Sequence, residues 1–183
     1  MVDITLNRAD HRAALTAWLN LERAAYGLIA LLALTARLIG LGWQPLGPAE
    51  AAQALPALAA ARGQPYDLVG VSPLLFTLQR VLFTGLDANE GLARIWPALL
   101  AGLSVLCFYA LRSRLTREGA LAAAALWAIS PLAVFTARQG VGDGLAPSLA
   151  LALLACISLA AERRAPQATP WLTAAAAAFG LLL

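Results

Sequence analysis

The chain has 183 residues, 61% of them hydrophobic and only 13% charged, with a mean hydropathy of +0.73. Soluble domains are roughly half apolar and about a quarter charged, so no water-facing fold of this size could hide that much apolar surface, and the solvent must be lipid. All thirteen basic residues are arginine, and they lie scattered between apolar runs instead of forming a basic face. That excludes a nucleic-acid-binding protein despite an isoelectric point near 9.4.

Residues 1–20 mix Leu6, Ala13, Leu15, Trp18 and Leu19 with Arg8, Asp10, His11 and Arg12. This pattern predicts a short amphipathic helix on the cytoplasmic membrane surface, with Trp18 at headgroup level. No apolar stretch followed by a small-residue cleavage site occurs there, so no cleavable signal peptide is expected. The run AAYGLIALLALTARLIGLGW predicts a first span over residues 24–43.

Residues 44–91 carry five prolines among polar and short apolar stretches. AEAAQALPALAAARG and SPLLFTLQRVLF are too short and too polar to cross, and predict interfacial or re-entrant helices in one long loop. Further spans are expected at about 92–111, 120–135 and 145–161, with Pro131 kinking the third or ending it early. A last apolar run over 171–183 is too short to cross by itself. It implies either a longer protein or a helix packed among partners.

The whole predicts an all-α, polytopic transmembrane bundle of four to five spans, with a domain from residue 21 to 183 behind the surface segment. Arg8, Arg12, Arg23, Arg112, Arg114, Arg117, Arg163 and Arg164 fall on one side, and Arg62, Arg80, Arg94 and Arg138 on the other. The larger set should face the cytoplasm, giving a multi-pass inner-membrane protein with its N-terminus inside and the 44–91 loop outside.

On the outer side, polar groups converge, including Glu50, Arg62, Asp67, Arg80, Arg94, Arg138 and Asp143. A carboxylate after the first span and one after the third can meet in space. Such a pair could bind a divalent metal or act as base and electrostatic partner, although interfacial loops need polar residues in any case. Arg37, inside the first span, either snorkels to the interface or pairs with an acid or a phosphate. Cys107 and Cys156 lie in spans and read as packing residues. The lone histidine, His11, leaves no histidine-rich metal site, and neither metal nor cofactor is expected. The GVGDG turn lacks the lysine of a phosphate loop.

Taken together, LTARLIGLG, ARIWPALLAGLSVLCFYALR, LTREGALAAAALWAISPLAVF and TARQGVGDG agree in order and spacing with a known pattern. From residue 24 to 161 the chain resembles the N-terminal part of GT-C class membrane glycosyltransferases, closest to the protein O-mannosyltransferase-like group. The resemblance implies a polyprenyl-phosphate-linked sugar donor, an acidic pair after the first span, and an arginine with a nearby acid after the third. The acidic pair falls on Ala49 and Glu50, so alanine stands at the expected catalytic base. A histidine expected in a His-x-Pro-like turn falls on Val71. Asp143 matches the second acidic position, and Arg138 the arginine before it. The family continues with further spans, so a donor cavity built by the whole bundle is not expected to be complete in this chain.

Two functions are then expected. One is a non-catalytic accessory or structural subunit of a larger bacterial membrane complex, such as an energy-transducing, quinone-oxidising electron-transfer complex. Its helices would pack on other membrane subunits through small residues such as Gly102, Ser104, Ala122 and Ala123. The other is a polyprenyl-phosphate-sugar-dependent glycosyltransferase with Glu50 and Asp143 as catalytic candidates and Arg37 and Arg138 on the phosphate.

Overall fold

A computed structural model describes the backbone of residues 3–162 and 165–182, and the side chains of residues 21–162 and 168–180. The residues Arg8, His11, Arg12, Trp18, Arg163 and Arg164, which entered the surface-helix and orientation expectations, lie outside the described side chains. Among the described residues the fold is helical throughout. Helix α1 covers Asp3–Leu38, α2 Pro48–Ala61, α3 Pro73–Gly85, α4 Glu90–Leu103 and α5 Cys107–Leu115. Then come α6 at Arg117–Ile129, α7 at Pro131–Ala137, α8 at Ala146–Ala161 and α9 at Ala165–Leu182.

Local chemistry sets many of these boundaries. Proline's fixed φ and missing N–H suit the first helical turn, and Pro48, Pro73 and Pro131 open α2, α3 and α7. The Asn89 side chain caps α4 by accepting from the Leu92 N–H at 2.9 Å. Gly40, at φ +68°, takes the left-handed conformation that stops α1, and the Trp43 ring packs where a Cβ would stand. For this reason α1 ends at Leu38 and not at Trp43 as the unbroken apolar run suggested. No break separates residues 3–20 from the first span: one helix, Asp3–Leu38, runs through both.

Among the described residues, two helical stretches are long and apolar enough to cross a membrane. These are Glu90–Leu115, which joins α4 and α5 through a 3-10 turn, and Gly142–Ala161. The pair α6 and α7 makes a third if taken together, bent by 58° at Ser130–Pro131. The four to five expected spans thus become two or three, with α1 and α9 running on into residues outside the described side chains. The bend at Pro131 is the kink that the proline implied.

Helix α1 packs on α4 and α6, α5 on α6 and α8, and α8 on α9, while α2 packs on α3 and α3 on α4. The core gathers Tyr26, Ala33, Val105, Ala124 and Ala128, flanked by Phe108, Tyr109 and Trp127. Small residues let backbones approach: a Cβ on Gly102 would stand 2.5 Å from Leu34 Cδ2. Gly102 and Ser104, expected to face partners, are buried inside the chain, whereas Ala122 is exposed. Leu28, Leu31, Leu126, Ile129, Leu132 and Leu154 all point outward. In lipid such faces carry no penalty, which is how a chain this apolar can leave them uncovered.

Helices α2 and α3 form a layer across one end of the bundle, here termed the loop end. Gln53 holds them together, accepting from the Ser72 N–H at 2.8 Å and donating to the Ser72 carbonyl at 3.3 Å. Gln79 and Trp96 then tie α3 to α4 by donating to the carbonyls of Ala93 and Leu78, at 2.7 and 3.0 Å. The short helices expected between residues 44 and 91 are therefore packed, ordered elements.

Candidate functional site

A helix leaves its last carbonyls without internal partners, and in a low-dielectric setting each such group is costly. The end of α1 and the loop behind it solve this with two arginines from distant parts of the chain. Arg138, which caps the end of α7, donates to the carbonyls of Ala36 and Gly40, each at 3.1 Å. Arg94, one turn into α4, donates to the carbonyls of Leu41, Gln44 and Pro45 at 3.0, 2.8 and 3.0 Å.

The other face of the Arg94 guanidinium meets Glu50. Nε donates to Oε1 at 2.8 Å and Nη2 to Oε2 at 2.6 Å, the planar two-point pairing that arginine and carboxylate make best. All five N–H groups of Arg94 are thereby used. Glu50 is equally committed. Its Oε1 also accepts from the Gly140 N–H at 2.8 Å and its Oε2 from the Gly47 N–H at 2.9 Å. The latter bond caps α2, whose third helical residue is Glu50 itself. One buried ion pair thus joins the exit of α1, the start of α2, the first turn of α4 and the turn after α7.

The Arg94 hydrogen bonds, with help from the two amides, outweigh burial and hold the Glu50 carboxyl down to about 2. A carboxylate so depressed and so fully bonded is a poor proton acceptor. It also makes folding pH-dependent. Because the folded value lies below the ordinary value near 4.5, the stabilisation is complete above pH 5 and is lost as pH falls from there toward 2. That depression corresponds to on the order of 3 kcal/mol. Thermal unfolding in detergent should show a midpoint that drops across that acid range, and Glu50→Gln should flatten the drop while lowering the neutral-pH midpoint.

Beside the ion pair lies a cavity of about 590 Å³. Gln44, Ala49, Glu50, Arg94, Phe135, Arg138 and Asp143 line it, together with backbone from the α1 exit. The structure therefore brings three of the four sequence candidates, Glu50, Arg138 and Asp143, to one place. Arg37 is not among the lining residues. It is fully buried, donating to Ala33 and Ala128 carbonyls at 3.1 and 3.2 Å and to Trp127 at 3.0 Å. It neither snorkels nor reaches this cavity; it holds the carbonyls that α6 leaves open where Pro131 breaks the helix.

The lining groups differ sharply in how committed they are. Ala49 is exposed to the cavity and offers only a methyl group. Arg138 is half-buried and uses two of its five N–H groups, leaving three for a ligand. Asp143 is exposed, has no hydrogen bond or ion pair among the described residues, and also borders a second cavity of about 520 Å³ beside α3 and α8. Arg138 and Asp143 share the cavity without pairing to each other, so a cationic and an anionic group both remain available.

Sequence reasoning placed Arg94 among the outer polar residues but missed its role. The available signal was its position one turn inside an apolar span, where an arginine must find a partner.

Residues 71–183, more than half of the chain, match the dolichyl-phosphate-mannose-protein mannosyltransferase family. The chain belongs to that family. Arg94, Arg138 and Asp143 lie within the matched region, whereas Arg37, Ala49 and Glu50 precede it. No curated protein and no solved structure matches the chain. It is accordingly a membrane protein with a GT-C type, glycosyltransferase-like helical scaffold.

Proposed function

We propose that this family member handles a polyprenyl-phosphate-linked sugar in the loop-end cavity. Arg138 would hold the phosphate, Asp143 would face the sugar or the attacking hydroxyl, and Glu50 would shape the wall without taking a proton. The observation that carries this reading is the contrast within one cavity. Asp143 has no hydrogen-bond or ion-pair partner among the described residues, while Glu50 has each oxygen bonded twice. The arginine distribution further supports a cytoplasmic N-terminus and an outward cavity in a bacterial inner membrane.

The test is sugar transfer from a polyprenyl-phosphate-linked mannose by the full chain in lipid nanodiscs. Asp143→Asn should lower turnover at least about a hundredfold, as expected for loss of a general base, without moving the melting midpoint. Transfer that survives Asp143→Asn unchanged would remove this residue from the mechanism.

A second reading, a non-catalytic accessory subunit, is favoured by Ala49, a methyl group where the family resemblance implies a catalytic acid. It expects no transfer by any variant, and stoichiometric co-purification with other membrane subunits in mild detergent. For a quinone-oxidising electron-transfer complex as host, neither the fold nor the family match adds support.

A further inference from the structure

A second polar group lies where α1 meets α5, away from the loop end. Arg112 stands eighteen residues beyond Arg94 on the Glu90–Leu115 span, and Arg23 eighteen residues before Leu41. The Arg94–Arg112 interval is about 27 Å along one helical stretch, close to the thickness of a hydrocarbon core, and Arg23 lies fifteen residues, about 22 Å, before the end of α1 at Leu38. The Arg94 site and the Arg23–Arg112 group therefore sit near opposite ends of these helices.

The rings of Tyr26 and Tyr109 meet edge to face at 5.2 Å, and the Arg112 guanidinium stacks 3.9 Å from the Tyr109 ring centroid. Arg23 and Arg112 both lie beside the Tyr109 hydroxyl. Glu22, 9% exposed, approaches Arg112 only to 3.9 Å, too far for a charge-assisted hydrogen bond. Three buried polar atoms then have no hydrogen-bond partner: Arg112 Nη1, Glu22 Oε1 and Tyr26 Oη. Orphaned groups of this kind are rare in folded proteins, and a buried donor beside a buried acceptor matches a ligand with both functions. Among the described residues of this group, two arginines against one glutamate leave one net positive charge. The side chain of Arg112 is 35% exposed, and with exposed Arg23 it gives a way in from the headgroup layer.

We propose that this is a binding site for a phosphate-bearing anion, best fitted by a phosphodiester that carries a hydroxyl, as in a glycerol-type anionic phospholipid headgroup. The arginines receive the phosphate oxygens, Tyr109 supplies a neutral donor, and Glu22 Oε1 accepts the headgroup hydroxyl. The stacked Tyr109 ring holds Arg112 in place while it does so. This site is independent of the sugar-handling reading.

The experiment places the full chain in nanodiscs of equal parts phosphatidylglycerol and phosphatidylcholine and measures the lipids retained after detergent extraction. Wild type should retain phosphatidylglycerol in excess, by about fivefold for each arginine engaged. The Arg23→Gln/Arg112→Gln double variant should return to the bulk ratio. Displacement of the retained lipid by millimolar inorganic phosphate supports the site with phosphate alone as the recognised group. Retention in the presence of phosphate supports it with the headgroup hydroxyl also read. A bulk ratio in wild type overturns the proposal, as does an excess that the double variant keeps. Should the double variant aggregate, phenylglyoxal labelling of wild type decides. Arg23 and Arg112 protected in phosphatidylglycerol but not in phosphatidylcholine supports the site, and equal labelling overturns it.

Discussion

Arg94→Ala should destabilise the fold by about 3–5 kcal/mol, read as a large fall in unfolding midpoint in detergent at neutral pH. Four losses combine. Glu50 becomes a buried carboxylate held only by the amides of Gly47 and Gly140. The carbonyls of Leu41, Gln44 and Pro45 lose their donor at once. Carbonyl desolvation alone is worth about 1–3 kcal/mol per group, although water entering the loop end will recover part of it. Arg94→Lys should rescue little, because an ammonium cannot span two carboxylate oxygens and three carbonyls as the planar fork does. Adding Glu50→Ala to Arg94→Ala should cost less than the two single losses together, since the second change removes the stranded charge. Additivity within a few tenths of a kcal/mol would mean that the two side chains do not act as a unit.

Arg37→Leu should lower stability by about 2–4 kcal/mol. Its guanidinium is fully buried and has no carboxylate partner among the described residues; it sits against backbone carbonyls at the C-terminal end of α6. That is the negative end of the helix dipole, and it partly offsets the burial of a lone cation. Leucine fills much of the space but leaves the carbonyls of Trp127 and Ala128 without that donor in a buried setting. The loss should also loosen the joint between α1 and the bent α6–α7 pair. Spin labels on α1 and α7 should show a broader distance distribution in the variant, whereas an unchanged distribution and midpoint would show that Arg37 is replaceable.

The two predictions also mark where sequence reading succeeds. Helix positions were partly legible because their signals are local, prolines at first turns and long apolar runs between polar loops, whereas Gly40, which ends α1 at Leu38, sits inside the apolar run of the expected first span. The Pro131 bend follows from one residue. The roles of Arg37 and Arg94 were not legible in the same way. Their partners are mostly backbone carbonyls, which every residue carries, and they lie as far as 91 positions away. Side-chain identity therefore says that a buried arginine needs acceptors but not which ones.

Glu50 shows the same limit for the candidate site. Its place beside Ala49 suggested chemistry, and only the three-dimensional pairing with Arg94 reveals a carboxylate occupied with structure. Asp143 was a candidate from its place in GVGDG, and the fold sets it on the wall of the same cavity as Arg138, with no hydrogen bond or ion pair among the described residues. This difference in commitment moves the sugar-handling reading ahead of the accessory one, which Ala49 alone had favoured.

The most direct test of this account is equilibrium binding of a polyprenyl-phosphate-linked mannose to the full chain in nanodiscs. Wild type should bind, Arg138→Gln should weaken binding about tenfold or more through loss of a charged hydrogen-bond donor, and Arg37→Lys should leave it nearly unchanged. Binding that ignores Arg138→Gln, or no binding by wild type, would contradict the assignment of the loop-end cavity as the donor site.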